Sequence, residues 1–373
     1  METRNNSNSS SGGGLVSSRR YSGPGSAEAI VTLESVTERR QLPSLGARLK
    51  ALRLWLEDDL MAVEEALSAF VAHPDDSVDR HAAEHMLKAR GKLLRPICVL
   101  LASRVAQERE PQVVRDIAVA VELVHAATLM HDDVLDLGTE RRGQPTARLM
   151  YSNAASVLGG DFLLMRALQL INRHGHAHEM ALMLEVIEEM VSAEARQLEL
   201  RGRLVLEPSR YLDVISGKTA ALFRWALGAG GRLSGLPEEQ SEALAGYGQE
   251  LGMGFQLIDD LLDLTGDADT LGKDLYVDLA EGKMTYPLIC AAEADADVAQ
   301  ALEALLNDPT LRDSDEIGRW LAEVFIRTKA DEKTRVLARR YVERAIDHLN
   351  ALPVCTARSA LEAVARTMLS RVR

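Results

Sequence analysis

Two copies of one aspartate pattern constrain what this chain can fold into. One copy is Asp132-Asp133-Val134-Leu135-Asp136 and the other is Asp259-Asp260-Leu261-Leu262-Asp263. The first copy follows a long run of mainly apolar residues, 117–130, and the second lies near the end of another, 251–264. A helix that is apolar on almost every side is buried, and residues four apart on a helix share a face. The sequence therefore predicts two buried helices whose carboxylates meet at the charged mouth of a deep cavity.

The density of carboxylates indicates a bound cation. Carboxylates gathered in a buried site repel each other unless cations neutralise them. Mg²⁺ prefers oxygen ligands, and it binds through a few carboxylates together with the phosphates of a substrate. A single copy of the pattern is equally typical of a solvated helix end, whereas two copies on buried helices favour a site. We therefore expect a Mg²⁺–diphosphate site between the two helices.

The composition favours helices throughout the ordered part of the chain. Hydrophobic residues make up 46% of the 373 residues but aromatic residues only 4%, so the core must consist of Leu, Ala, Val and Met. Apart from Val these are strong helix formers, and no alternating stretch bounded by turn residues predicts a strand. The predicted fold is therefore all-α, a single large helical bundle. The predicted helices cover residues 44–71, 78–89, 93–107, 111–136, 152–174, 176–201, 208–230, 238–265, 281–294, 297–306, 313–326, 328–350 and 356–372.

The first 42 residues differ from the rest of the chain. Asparagines and serines are followed there by three glycines at 12–14, a composition that cannot bury a core. The segment is predicted to be a disordered tail, and residues 43–373 to form the all-α catalytic domain. A transit peptide is the alternative for this tail, because Arg19 and Arg20 lie among serines, but Glu2, Glu28 and Glu34 disfavour it.

Charge and cysteine content exclude several classes of protein. The chain has 43 basic and 56 acidic residues and a net charge of −13, which argues against nucleic acid as a partner. The cysteines Cys98, Cys290 and Cys355 are far apart and form no C-x-x-C motif, as expected in a reducing cytoplasm without structural zinc. The sequence predicts no membrane span, because no window reaches the apolar length that a span needs. We expect a cytoplasmic protein.

Five short motifs supply cations for a diphosphate. Four of them place a glycine directly before a lysine, at Lys92, Lys218, Lys273 and Lys283, and the fifth is Arg141-Arg142-Gly143. Glycine lets the backbone approach a phosphate closely. In the first motif Arg95 follows Lys92 by three residues, which is the spacing of one helix face. One such motif is weak support for a phosphate site, but the five motifs together are strong support.

Taken in order, these motifs resemble those of the trans-type isoprenyl (polyprenyl) diphosphate synthases. The resemblance runs from about residue 44 to the C-terminus, and the residues near Thr128 look most like long-chain members such as octaprenyl diphosphate synthases. It implies the isoprenoid-synthase helical bundle around a deep central cavity. The motifs that carry it are residues 91–96, 122–125 with the first aspartate pattern, 141–143, 160–163, 218–220, 255–263 and 282–285.

The resemblance also implies roles for the matching residues. Asp132, Asp136 and Asp259 correspond to ligands of three Mg²⁺ ions, and Asp133, Asp260 and Lys218 to further catalytic residues. Isopentenyl diphosphate is expected at Lys92, Arg95, His125 and Arg142. The allylic diphosphate is expected at Arg141, Lys218, Thr219, Gln256, Lys273 and Lys283. Two departures from the family pattern are Arg90, where many members have glycine, and Leu93, where many have a basic residue.

Product length should be set on the helix before the first aspartate pattern. Val124, Ala127 and Thr128 lie on the face below Asp132, and eleven residues of helix reach about 16 Å deep. Short-chain members carry a bulky aromatic in the first layer, whereas Ala127 and Thr128 are small. The resemblance therefore implies a head-to-tail prenyltransferase with a product longer than C15, with Met165 or Leu168 as the expected floor of the tunnel.

Three alternatives remain open from the sequence. A terpene cyclase also ionises a diphosphate on an all-α fold, but Asp259–Asp263 and the Lys92/Arg95 pair argue against it. A C20 (geranylgeranyl) synthase would use the same chemistry. A non-catalytic subunit would tend to lose aspartates, and none is missing here. Members of the resembled family usually form homodimers through helices near the active site, so a homodimer is expected.

Overall fold

The computed structural model describes residues 43–71, 77–89, 91, 93–106, 110–265, 275–308 and 314–370. Within these ranges the chain is almost entirely helical, as predicted. The tail predicted over residues 1–42 lies outside the described residues. The first half contains α1 (Pro43–Val71), α2 (Val78–Lys88), α3 (Leu94–Ser103), α4 (Pro111–Leu135), β1 (Glu140–Arg141), β2 (Gln144–Pro145), α5 (Ala147–Met150), α6 (Asn153–Arg173) and α7 (Ala177–Leu200). The second half contains α8 (Pro208–Ile215), a π-helix (Ser216–Ala220), α9 (Ala221–Arg232), α10 (Glu238–Thr265), α11 (Val277–Ala280), α12 (Tyr286–Ala294), α13 (Ala296–Asn307), α14 (Ser314–Thr328), α15 (Ala330–His348), a 3₁₀ turn (Leu349–Ala351) and α16 (Thr356–Ser370).

Helix α4 runs through the middle of the bundle and carries the first aspartate pattern. Its side chains are buried on nearly every side between Val113 and Met130, as the apolar run predicted. Pro111 occupies the first turn, where a missing N–H costs nothing. The helix packs along α6, where Gly159 lies so close to Met130 that a methyl group would overlap it. This packing fixes the end of α4 at which the aspartates lie.

Helix α10 is the counterpart of α4 and carries the second aspartate pattern. It packs between α9 and α15. Gly248 lets it approach α9 closely, because a Cβ at this position would overlap the Phe223 carbonyl group. Leu251, Leu257 and Leu261 are fully buried along its length. Both acidic patterns therefore lie on rigid helices rather than on loops.

The chain departs from the predicted helix over 208–230 at its Gly-Lys motif. The structure divides this segment into α8, the π-helix and α9. Gly217 packs against α7, where a Cβ would lie 2.8 Å from the Glu189 carbonyl oxygen. Such single π-turns inside α-helices occur frequently at functional sites. The irregular turn changes the register of the helix at Lys218 and Thr219.

Two further differences from the predicted elements concern short segments. The hairpin of β1 and β2 was not predicted, because two-residue strands show no alternation; its turn residues Arg142 and Gly143 both have positive φ. The helix predicted to begin at residue 281 begins at Tyr286. Gly282 has a φ of 81° and Thr285 is extended, so neither continues a helix.

By length and composition, α6 is apolar enough to cross a membrane, which the sequence analysis had not anticipated. In its most apolar window 44% of the residues are buried inside the protein. Core helices of water-soluble proteins meet the same criterion, so one such helix is weak support for a span. Its packing along α4 assigns it to the bundle.

Candidate active site

A cavity of about 710 Å³ lies between the ends of the two acidic helices. Helices α4, α6, α7 and α10, the π-helix and Arg95 of α3 form its wall. The side chains of α4, α6 and α3 that line it are Val124, His125, Ala127, Thr128, Leu129, His131, Asp132, Leu135, Asp161, Leu164 and Arg95. The remaining lining residues are Ile187, Met190, Val191, Glu194, Ala195, Leu198, Lys218, Thr219, Phe255, Gln256 and Asp259. The cavity is apolar along most of its wall and acidic at one end, as predicted.

Carboxylates from three helices line the main cavity. Asp132 of α4 and Asp259 of α10 both line the cavity, together with Glu194 of α7. Burial raises the pKa of Asp132 to about 6; the nearby Glu194 and Asp136 also raise it, and Lys218 opposes them. Repelling carboxylates in a buried site create a demand for positive charge.

Lys218 supplies part of this positive charge. Its ammonium group forms an ion pair with Glu194, lies 3.6 Å from Asp132 Oδ2 and donates a hydrogen bond to Gln197. The π-helix turn places Lys218 at this position, because the preceding Gly217 packs directly on α7. The predicted lysine and both acidic helices thus meet in one place.

The donor set fits Mg²⁺ as a shared ligand of protein and phosphate. Among the residues that the structure describes, no three His, Cys, Asp or Glu side chains form a closed metal cage. Mg²⁺ needs no such cage, since it binds through one or two carboxylates plus substrate phosphates. Asp132 and Asp259 line one cavity, and the raised pKa of Asp132 shows that a cation there would relieve repulsion.

The second aspartate of each pair lies away from the cavity. Asp133 is buried and accepts hydrogen bonds from Arg141, and burial raises its pKa despite that partner. Asp260 is buried beneath α8, where it accepts hydrogen bonds from Tyr211 and Gln256. Burial and Asp278 raise the pKa of Asp260, and its two hydrogen bonds oppose that rise. Both residues therefore hold neighbouring groups in place.

Asp136 is engaged by two cations. Arg201, which directly follows α7, donates to its Oδ1 at 3.0 Å, and Lys283 donates to its Oδ2 at 2.9 Å. Burial alone would lower the pKa of Lys283. The carboxylates of Asp278, Glu281 and Asp136 outweigh this effect, so the pKa of Lys283 is raised. Lys283 is therefore charged and tied to the first aspartate pattern. The sequence had placed it with the allylic diphosphate, and it lines a smaller cavity beside Lys218 and Asp260.

A second cavity of about 640 Å³ contains part of the predicted isopentenyl diphosphate site. Glu122, His125, Arg142, Gly91 and Leu93 line it, and His125 also lines the main cavity. His125 thus joins the two spaces.

Two groups beside His125 are electrostatically distinctive. Burial, Arg95 and Arg142 hold the pKa of His125 well below 6.5. Burial also lowers the pKa of Arg95 to about 10, and its guanidinium lies 4.7 Å from the centre of the Phe223 ring. Arg95 remains charged at neutral pH, so it and Arg142 carry the positive charge here.

The three predicted chain-length positions Val124, Ala127 and Thr128 all line the main cavity. The predicted floor is wrong: Met165 is 45% exposed, and neither Met165 nor Leu168 lines the cavity. Leu164 does so, one position before Met165. The sequence gives helix periodicity but not the rotation of α6 about its axis.

Several site residues escaped the sequence analysis, and two predicted ones lie outside the described residues. Lys92 and Lys273 were predicted but lie outside the described residues. The sequence did not point to Glu194, Tyr211 or Arg201, because each is one polar residue on an otherwise ordinary helix or loop. Asp161 lies in a motif that had been noted without a role; His131 Nε2 is 3.3 Å from its Oδ1.

The fold and the site together define an all-α enzyme in which two acidic helices, a half-buried lysine and apolar side chains line one cavity. A model of the polyprenyl synthetase family matches residues 77–324, and the chain belongs to this family. It is accordingly a prenyltransferase.

Relatives and solved structures agree with this assignment. The octaprenyl diphosphate synthase of Escherichia coli is 36% identical over 295 residues, which are 78% of this chain and 88% of that protein. Component 2 of the heptaprenyl diphosphate synthase of Geobacillus stearothermophilus is 35% identical over 318 residues, or 85% and 97% of the two chains. The crystal structure of a decaprenyl diphosphate synthase from Rhodobacter capsulatus superimposes with a TM-score of 0.80 at 34% identity, covering 87% of this chain and 99% of that one.

Proposed function

We propose that the protein extends an allylic diphosphate head-to-tail with isopentenyl diphosphate and releases a polyprenyl diphosphate longer than C15. The observation that carries this proposal is the cavity itself: Asp132, Asp259 and Lys218 lie at one end, and an apolar wall continues past small side chains. The named relatives make hepta-, octa- and decaprenyl products, which supports a long product here.

The reaction begins with cleavage of the bond between C1 of the allylic group and its diphosphate oxygen. Negative charge develops on the leaving diphosphate, and the Lys218 ammonium is placed to stabilise it. Bound Mg²⁺ would supply Lewis-acid stabilisation of the same charge, and Asp132, Asp136 and Asp259 are the residues proposed to hold it. The proposed site holds three Mg²⁺ ions, which is the number that the resemblance implies.

The second step joins the two substrates. The double bond of isopentenyl diphosphate attacks the allylic cation, forming a carbon–carbon bond, and a proton then leaves to the departed pyrophosphate. Arg95 and Arg142 are charged groups that flank His125, and we propose that they hold isopentenyl diphosphate. His125 contributes as a neutral hydrogen-bonding group.

The working enzyme is proposed to be a homodimer. Large apolar side chains are exposed along α6 and α7: Leu158 by 53%, Leu184 by 51% and Val191 by 65%. Exposed large apolar side chains such as these support an interaction site on the two helices. Val191 and Leu198 also line the main cavity, so a second copy seated on this face would close the flank of the tunnel.

The proposed location is the cytoplasm. All three cysteines are unpaired, and Cys98 and Cys290 are buried. Free thiols are typical of a reducing compartment.

The test is incubation of the purified chain with farnesyl and isopentenyl diphosphates in the presence and absence of Mg²⁺. We expect extended prenyl diphosphates that form only with Mg²⁺, resolved by mass spectrometry. A cyclic hydrocarbon would instead identify a cyclase, and a product that stops at C20 a geranylgeranyl diphosphate synthase. Absence of turnover by the chain alone would indicate a subunit that needs a partner, as the name of the Geobacillus relative suggests for that protein.

A further inference from the structure

Four side chains form a continuous hydrogen-bonded relay beneath the cavity. The Tyr211 hydroxyl donates to Asp260 Oδ2 at 2.6 Å, and Gln256 Nε2 donates to Asp260 Oδ1 at 2.7 Å. The Thr219 hydroxyl in turn donates to Gln256 Oε1 at 2.7 Å. The relay thus links α8, the second aspartate pattern and the π-helix. Tyr211 and Asp260 are buried, whereas Thr219 and Gln256 also line the main cavity.

The direction of each hydrogen bond follows from the chemistry of its ends. In the structure the Gln256 amide nitrogen donates to Asp260, which is the arrangement that an ionised carboxylate requires, because a carboxylate only accepts hydrogen bonds. The amide oxygen of Gln256 must then point to Thr219, which has to donate its only hydroxyl proton. What Thr219 can still offer to the cavity is the lone pairs of its oxygen. A partial negative charge is therefore presented at the cavity wall beside Lys218.

We propose that Tyr211 is a positioning residue for the ionisation step, acting through Asp260 and Gln256 to orient the Thr219 oxygen toward the allylic cation. This inference rests on the proposed function. Tyr211 does not line the main cavity, but it lines the smaller cavity beside Lys218 and Asp260. Burial next to Asp260 raises the pKa of Tyr211 well above its ordinary value, and its phenol therefore keeps the proton that it donates.

The hydroxyl of Tyr211 has a specific effect on the relay. Without it, Asp260 Oδ2 would be buried with no donor, and a buried acceptor without a partner is costly. Asp260 would turn toward other donors, and Gln256 would lose its fixed orientation. The Thr219 hydroxyl would then be free to rotate its proton toward the cavity, where a positive charge develops. Such a change weakens transition-state stabilisation while leaving the charged groups Lys218, Asp132 and Asp259 in place.

The test is Tyr211→Phe, assayed with farnesyl and isopentenyl diphosphates and Mg²⁺. We expect kcat to fall about 10-fold to 100-fold, the range for a lost hydrogen bond to a charged group. The KM of each substrate and the Mg²⁺ concentration for half-maximal activity should stay within threefold. Tyr286→Phe is the matched control: its ring centre lies 6.0 Å from that of Tyr211, but its hydroxyl is hydrogen bonded to Cys290. It should keep kcat within twofold.

A double-mutant cycle tests whether Tyr211 acts through Thr219. Thr219→Val removes the last group of the relay, so adding Tyr211→Phe to it should change kcat by less than twofold. Single-turnover measurements keep slow variants measurable, and the melting temperature reports whether each variant is folded. Three results would each overturn the relay. The effects of Tyr211→Phe and Thr219→Val on kcat could multiply in the double variant, or KM could change as much as kcat in Tyr211→Phe. The third result is an unaltered kcat in folded Tyr211→Phe. If the wild type itself forms no extended diphosphate, the proposed function fails instead.

Discussion

Each aspartate pair divides its two side chains between the cavity and the protein interior. Successive residues on a helix point about 100° apart, so Asp132 and Asp259 line the cavity while Asp133 and Asp260 face inward. The inward-facing residues bind Arg141 and Tyr211 instead of a ligand. A paired pattern therefore combines one group for the substrate with one that fixes the helix end.

Lys218 should matter more for turnover than any cation on the surface. Lys218→Ala removes the ammonium group beside Asp132 and Glu194, and we expect kcat to fall roughly 100-fold, the typical loss for one preorganised charge-stabilising group. Steady-state assays of product formation measure this. Lys50→Ala, on the exposed side of α1, is the control. Equal activities of the two variants would remove Lys218 from the mechanism.

His125 should remain neutral at physiological pH. Its pKa lies well below 6.5 because of burial, Arg95 and Arg142. The unfolded chain then binds the proton more tightly than the folded one, so this residue reduces stability by about 1.4 kcal/mol per pH unit as the pH falls below 6.5 toward the folded pKa. NMR titration of its imidazole signal, assigned with His125→Gln, measures the midpoint. A midpoint at or above 6.5 would contradict the charge distribution described for this pocket.

At the scale of elements, the sequence predicted the long helices well because their patterns are local. Pro111 and Pro208 begin α4 and α8 as expected. The π-helix was visible only as a Gly-Lys-Thr interruption, since its geometry depends on close contact between Gly217 and α7. The tunnel floor was misplaced because local periodicity does not fix how α6 rotates against its neighbours.

Some residues of the site could not be predicted from sequence for the same reason. Glu194 and Tyr211 come from helices that carry no aspartate pattern, and only tertiary packing brings them to the site. By contrast, Asp132, Asp259, Thr219 and the three chain-length positions lie in sequence motifs, and all of them line the main cavity.

One buried ion pair joins the beginning of α7 to the end of α9. Arg232 donates to both oxygens of Glu179, which is only 2% exposed. Arg232→Met leaves that carboxylate buried without its partner, and we expect a loss of about 3–5 kcal/mol in the free energy of unfolding. The double variant with Glu179→Leu should recover most of this loss. Urea denaturation measures both; a single variant that loses less than 1 kcal/mol would show that Glu179 has another way to be solvated.

At the scale of the whole molecule, the proposal assigns assembly to the exposed apolar side chains of α6 and α7. The chain has a mass of 40.8 kDa, and light scattering on a sizing column should give about twice that value. Leu158→Glu combined with Leu184→Glu should produce monomers, because burying two carboxylates in an apolar interface is unfavourable. Ile326→Glu, at a site that is 72% exposed, is the control and should stay dimeric. A wild-type monomer would refute the proposed homodimer.

The most direct test of the whole arrangement is the product length of Ala127→Phe compared with the wild type. In the proposed arrangement the two acidic helix ends bind the diphosphate, so the depth of the apolar wall below Asp132 should limit the chain. Mass spectrometry of the prenyl diphosphates should show products longer than C15 from the wild type and a shift to shorter chains, in steps of one isoprene unit, from the variant. Identical product lengths from both proteins, with Ala127→Phe folded and active, would place the growing chain somewhere other than this cavity.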